Sequence, residues 1–275
     1  MPGSRDAGGM GSDVFAAATV TGRWGDGARL RRCGAKWTCL VLLLGCAQPR
    51  PPLPRPPSAE PQAVLDWVRE REARIESLRA RFTAETRRDG EHRAASGVLL
   101  VRKPDRFRLR LTLPLGLTVF DYLSAAGHVQ LALPLEDRII NGPPSGDFAL
   151  FSHEEIGQVF LRGSLAFAET CVPEQTNAVE IVVRCRDGAG DVRREMRMDS
   201  PTATIREETT YDVGQPRLIF RFDDYRVVGD ATLPYRIALV YTSRALRVDI
   251  TVERYEVNPE LGDHLFQPLV PWAGS

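Results

Sequence analysis

The sequence predicts a mainly β, α+β fold: an incomplete antiparallel β-barrel of about ten or eleven strands, lidded by short helices and enclosing a hydrophobic cavity. Three observations carry this. Apolar residues alternate with polar ones over most of the chain beyond Phe107, turn signals punctuate the alternation, and helical spacing is confined to two short stretches.

Taken in order, the first element is a targeting segment. Arg31, Arg32 and Lys36 form a positive region, and Trp37 through Leu44 an apolar core too short to span a bilayer. Leu43-Leu44-Gly45-Cys46 then reads as a lipoprotein processing box, with a small residue at the cleavage point and a thiol to be diacylated. Residues 1–45 are therefore expected to leave as a signal peptide, and the mature chain to hang from a membrane by lipid on Cys46. Residues 1–29 lengthen this signal beyond the usual ~15–30 residues, so translation is expected to begin near Leu30. Residues 46–61 are dense in proline, which favours an extended polyproline II tether of ~3 Å per residue.

Residues 62–270 are of a length for one domain. A helix is predicted from Gln62 to about Arg79, because Val64, Leu65, Val68, Ile75 and Leu78 recur at helical spacing. The period then becomes two: Phe107, Leu109, Leu111 and Leu113; Val129, Leu131 and Leu133; Leu218, Phe220 and Phe222; Leu246, Val248, Ile250 and Val252. Arg88-Asp89-Gly90, Lys103-Pro104-Asp105, Ala126-Gly127, Asp187-Gly188 and Val228-Gly229-Asp230 mark turns between strands. A second helix is predicted over Ser152–Leu161, with Ser152 and Glu155 as a capping box and Ile156, Val159 and Phe160 as its apolar stripe.

A long antiparallel sheet with one apolar face must cover that face. The candidates for lining a cavity beneath it are Leu109, Leu111, Leu131, Leu133, Phe160, Phe220, Phe222, Ile237, Leu239 and Val248. Periodicity alone leaves a hollow interior and an ordinary filled core both open. Arg108 and Arg110 read as solvated polar-face residues, and Asp223-Asp224-Tyr225-Arg226 as a strand-end turn with a local ion pair.

Composition narrows the function. Of the 36 basic and 36 acidic groups, residues 1–45 hold six and three, so the mature part has 30 against 33, a formal charge of −3. Nucleic acid is not the expected partner, since that needs a basic face. Cys171 and Cys185 are the two cysteines left after processing and lipidation; a disulfide and two unpaired core thiols both fit. His92, His128, His153 and His264 are scattered without ligand spacing, so neither metal nor cofactor is expected. No nucleophile elbow, metalloprotease helix or phosphate-cradling glycine loop occurs, and an enzyme is not expected.

Gln62–Arg81 followed by Gly97-Val98-Leu99-Leu100-Val101-Arg102-Lys103-Pro104-Asp105-Arg106-Phe107-Arg108 resembles the start of the LolA/LolB group of lipoprotein carriers and receptors. Pro114-Leu115-Gly116-Leu117-Thr118 is similar to the loop of the outer-membrane receptor branch, LolB. Thr232-Leu233-Pro234-Tyr235-Arg236-Ile237 and the stretch to Val257-Asn258-Pro259 resemble the family's closing strands. The resemblance covers about 62–268 and implies a lidded half-barrel that binds acyl chains of lipoproteins or lipids. Lipidation at Cys46 puts the chain on the receptor side, and Ala47 after it implies an outer-membrane address facing the periplasm. A periplasmic LolA-type carrier is then an implied partner, and a monomer the expected state. In the receptor branch an exposed leucine after the third strand serves membrane insertion, and the matching position is Leu115. The alternative within the same fold is a non-carrier envelope lipoprotein, a sensor or an assembly factor.

Overall fold

The computed structural model describes residues 51–88, 91–142, 170–242 and 246–270. Helix α1 (Pro61–Ala73) precedes thirteen strands: β1 (Ser77–Arg88), β2 (Glu91–Arg102), β3 (Arg106–Thr112), β4 (Thr118–Ala125), β5 (His128–Leu133), β6 (Arg138–Asn141), β7 (Thr170–Thr176), β8 (Glu180–Arg186), β9 (Val192–Asp199), β10 (Thr204–Asp212), β11 (Gln215–Val228), β12 (Ala231–Tyr241) and β13 (Leu246–Val257). All thirteen belong to one antiparallel sheet in the order β6-β5-β4-β3-β2-β1-β13-β12-β11-β10-β9-β8-β7. The first and last strands zip two meanders together, β6 and β7 are its opposite edges, and the sheet does not close into a barrel.

The described residues form thirteen strands, against about ten or eleven expected. The weakest signals belong to the edges. β6 is four residues long and mostly exposed. β7 contains Pro173, where the pairing register shifts, and proline is confined to such edge positions because it lacks the ladder donor.

Helix α1 starts where the sequence favours a start. The Glu60 carboxylate accepts from the backbone N–H groups of Gln62 and Ala63, and Pro61 occupies the first turn, where its missing N–H has no helical partner to serve. The helix ends at Ala73, not near Arg79. Ile75 lies in the link to β1, and Leu78 opens the alternation Leu78, Ala80, Phe82, Ala84 of β1. Leu78 stands at helical spacing from Ile75 but also begins the i, i+2 series of β1, and the strand's own alternation wins. Ser152–Leu161, with Phe160, lies outside the described residues.

The face that carries the main apolar cluster and the buried side of α1 (Val64, Leu65, Val68) is the inner face. Register shifts in β1, β3, β7, β8 and β10 give the sheet the bulges by which long sheets bend. Ala126 and Gly127, both at positive φ (51° and 76°), close the two-residue turn between β4 and β5.

The outer face is polar and strapped. Asp121 on β4 is 3% exposed and accepts from Arg108 and Arg110 of β3. Arg108 also donates to the carbonyls of Leu265 and Gln267, and Asp263 sits between Arg102 and Arg106. Leu261 and Phe266 of this C-terminal strap bury against Leu100, Leu123 and Ala125. Arg108, at 11% side-chain exposure, is therefore a structural tie and not the solvated residue that the sequence implied. Replacing Asp121 by Asn should cost about 3 kcal/mol, because two guanidinium groups lose their buried counter-charge; urea unfolding measures it, and protease sensitivity of the C-terminal strap should rise.

Within the inner face Phe82 lies over Gly97 across the β1–β2 pair, where an added Cβ would stand 2.1 Å from Phe82 Cζ. Gly97→Ala should destabilise the protein by about 1–3 kcal/mol by overpacking, and Gly97→Ala with Phe82→Leu should recover part of that loss in the same unfolding measurement.

Candidate functional site

The register builds the inner face as continuous rows. One runs Leu131–Tyr122–Leu109–Leu99–Ala80–Tyr255 across β5, β4, β3, β2, β1 and β13. A second runs Val183–Met196–Glu208–Phe220–Leu239–Val248–Thr86 from β8 to β1. A third runs Cys171–Cys185–Arg194–Thr210–Leu218–Tyr241–Leu246 from β7 to β13.

Nine of the ten lining candidates fall on this face. Leu109, Leu131, Leu133, Phe220, Phe222, Ile237 and Leu239 are buried, and Leu111 and Val248 are half-buried against the same cluster. The tenth, Phe160, lies outside the described residues, as does Cys46. Leu131, Leu133, Phe220 and Ile237 are 1–2% exposed, so this part of the face is packed. Beneath α1, residues including Trp67, Val68, Ile75, Ala203, Ile205, Tyr225 and Leu233 enclose a crevice of about 40 Å³. That is space on the scale of a water molecule, whereas ligand sites run to ~300 Å³ and above. At this crevice a guest must displace side chains.

The crevice has a polar lip. The Arg71 guanidinium lies 4.6 Å from the Trp67 ring centroid and donates to Thr232 Oγ1 at 2.6 Å. Burial, with the Arg74 charge second, lowers its pKa from the ordinary arginine value. Beside it, Tyr225 donates to the Ile205 carbonyl and Arg226 lies 4.0 Å over the Tyr235 ring. The hydrogen bond that Arg226 donates to the Asp224 carboxylate, at 2.6 Å, raises the pKa of Arg226. The ion pair expected in Asp223–Arg226 is present; it sits inside β11, with Asp224 at φ 53°, and not at a strand end.

Two charged residues of the inner face were not singled out from the sequence. Arg194 and Glu208 stand 3.5 Å apart, with side chains 5% and 3% exposed. Alternation along β9 places Arg194 on the side of Met196 and Met198, which was legible. A register shift between Ile205 and Glu207 changes the parity of β10, so that Glu208 rather than Glu207 faces inward, which was not.

At one end of the sheet, the turn between β3 and β4 presents Leu115 at 90% exposure and Leu117 at 54%. Gly116 takes φ 81° there, and its N–H donates to the Leu113 carbonyl, a conformation that lifts Leu115 off the body. The β10–β11 turn, at the same end by strand direction, presents Val213 at 87% exposure. At the opposite end the Pro-rich tether is not wholly free: Leu53 lines a groove with Asp199, Thr202, Arg206, Asp223 and Asp224.

No family model matches the chain, and no curated protein matches its sequence. Solved structures do match its fold. A DUF1329 family protein from Desulfovibrio piger superposes with a TM-score of 0.61 at 13% identity, covering 78% of this chain and 98% of that one. A LolA superfamily protein from Nitrosomonas europaea gives 0.57 at 12% identity, with 76% and 97% covered. A protein domain from Vibrio parahaemolyticus named for outer-membrane lipoprotein sorting gives 0.54 at 15% identity, with 74% and 95% covered. The chain therefore has a LolA-like fold.

Cys171 and Cys185, left open by the sequence, stand directly opposite in the β7–β8 pair and are joined by a disulfide across 14 residues. Loop-closure entropy for such a span is worth about 3 kcal/mol. Replacing both cysteines by Ala should lower unfolding free energy by about that amount, and a reducing agent should shift the wild-type midpoint the same way and leave the double variant unmoved.

Proposed function

We propose that this chain is a lipid-anchored receptor of the outer membrane, which takes acyl chains of lipoproteins or lipids onto its inner face and passes them to the bilayer. The observation that carries the reading is the combination of an open thirteen-strand sheet, largely apolar along one face, with a leucine at 90% exposure on a turn tip. An acyl chain cannot cross water unprotected. Its burial is worth ~0.8 kcal/mol per CH₂, on the order of 10 kcal/mol for a sixteen-carbon chain, and an apolar face of this extent offers a comparable gain. Handover needs no covalent step, only a bilayer that binds the cargo better than the protein does. The Cys46 lipid would hold the receptor at the periplasmic side of the outer membrane, and a soluble LolA-type carrier would supply the cargo. No catalytic group is needed.

In this reading the Leu115 turn is the element that enters the lipid. A leucine so placed buries nothing in the protein and is free to bury itself elsewhere. Leu115→Glu should leave the unfolding midpoint and acyl-chain capture unchanged while abolishing transfer from a loaded carrier into vesicles. Wild-type transfer by that variant removes Leu115 from the mechanism.

The tight packing of Leu131, Leu133, Phe220 and Ile237 favours a second reading, a non-carrier envelope lipoprotein that senses or assembles. Native mass spectrometry of the purified protein separates the two. Co-purifying acyl chains support carriage, and a mass equal to the bare polypeptide after exposure to lipid supports the second reading.

A further inference from the structure

A single exposed apolar side chain needs no explanation. Val213 differs from such residues, because its backbone is unfavourable as well as its exposure. It stands with Gly214 in the two-residue turn between β10 and β11, at φ 46° and 73°, with Asp212 paired to Gln215. Such a turn favours Asn-Gly or Asp-Gly, and a β-branched residue at positive φ is a steric outlier. Among the described residues packing offsets neither cost. Val213 is almost wholly exposed, and an added Cβ at Gly214 would meet no described atom within 4 Å. Strain held at so exposed a position points to a use outside the chain.

The register places this turn level with Leu115. Thr112, at the foot of the Leu115 turn, shares a row with Ser96, Thr83, Thr251, Arg236 and Asp223. Gln215 stands eight positions beyond Asp223 on β11, about 26 Å along the strand. The two turns are six strand spacings apart across the sheet, about 29 Å. That stagger is a slope of about 40°, the tilt that strands take in a barrel. The turns therefore end on one rim instead of at different heights. Leu117 and Leu135, which follows β5, are exposed at the same rim.

We propose that Val213 is a second point of membrane contact, and that Leu115 and Val213 together seat this rim on a phospholipid surface. The inference rests on the reading in which the Leu115 turn enters lipid, and adds how the body is oriented there. Small apolar tips this far apart do not make the contiguous patch, about 800 Å² per partner, that a stable protein interface needs. A bilayer makes no such demand, because each tip can enter it separately. One point of contact lets the body swivel about it. Two points fix a line, which holds the rim toward the lipid that receives the cargo.

The test reconstitutes the purified protein with vesicles of phosphatidylethanolamine and phosphatidylcholine whose acyl chains carry bromine, a tryptophan quencher confined to the bilayer interior. These lipids have no net charge, so Asp212 beside the tip is not repelled. The tryptophan emission added by Val213→Trp should be quenched about as strongly as that added by Leu115→Trp, and neither should be quenched in vesicles without bromine. Val213→Asn supplies a functional readout. Asparagine is polar and favoured in this turn, so the urea midpoint should rise. Transfer of acyl cargo from a loaded carrier should slow about tenfold, the yield of burying one valine side chain. A gain in stability with a loss of transfer cannot arise from misfolding. Unquenched emission from position 213 where position 115 is quenched, or wild-type transfer by Val213→Asn, would overturn the inference and leave the Leu115 reading standing. Unquenched emission from both positions would remove both.

Discussion

The pairing of β1 with β13 is the contact on which the rest of the molecule depends. Each half of the chain makes a local meander with an apolar side to cover. Joined along Leu78–Arg87 and Arg247–Val257, they become one sheet long enough to fold over its own inner face. The rows then run unbroken across the junction, from Phe220 and Leu239 through Val248 to Thr86, and from Leu109 through Ala80 to Tyr255. Phe82, at the bulge of this junction, supplies the side chain that Gly97 lacks. The joint is non-local, so its loop-closure cost must be met before the inner face can be buried.

The same topology decides how the face can yield. In a closed barrel, widening the interior breaks ladder hydrogen bonds. Here β6 and β7 are edges that do not pair with each other, so drawing them apart breaks no bond between them. Admission of a guest then trades side-chain contacts of the inner face for contacts with hydrocarbon, and apolar for apolar is a near-even exchange. An inner face that is packed in the absence of a guest is compatible with carriage for this reason. The strapped outer face, tied by Asp121 to Arg108 and Arg110, keeps the β3–β4 part of the sheet rigid while the edges move.

Much of this was legible in the sequence, and the failures have physical causes. Strands with clean alternation, such as Leu218–Phe222 and Leu246–Val252, announced both their type and their buried side, because one face is wet and the other dry. The predicted helix overran its end because Leu78, at helical spacing from Ile75, is also the first buried residue of the β1 alternation. β6 and β7 carry few alternating apolar residues, so their sequence signal is weak. Leu115 stood out because proline and glycine flank it, and the turn geometry does leave it exposed. Glu208 was hidden by a bulge, since a single shifted residue reverses which of two adjacent glutamates points inward. Arg108 was misjudged because the strap that buries it arrives from residues 258–270, far along the chain.

Membrane delivery, as proposed, also sets a condition on the tether. Leu53 sits in its groove at the β9–β10 end of the sheet, whereas Leu115 is at the other end. With Cys46 lipidated as proposed, a docked tether leaves seven residues of leash, about 20 Å in polyproline II geometry. A twelve-residue strand such as β1 spans about 40 Å at full extension, so an upright body held by the docked tether keeps Leu115 away from its own bilayer. Release of Leu53 lengthens the leash to the start of α1, fifteen residues and about 45 Å, enough for the body to turn over and set the Leu115 turn on the membrane that anchors it. The alternative that keeps the tether docked is a body lying along the surface, with both ends of the sheet near the lipid. The proline-rich segment is then more than a spacer, because its docking limits how far the Leu115 end can reach from the anchor proposed at Cys46.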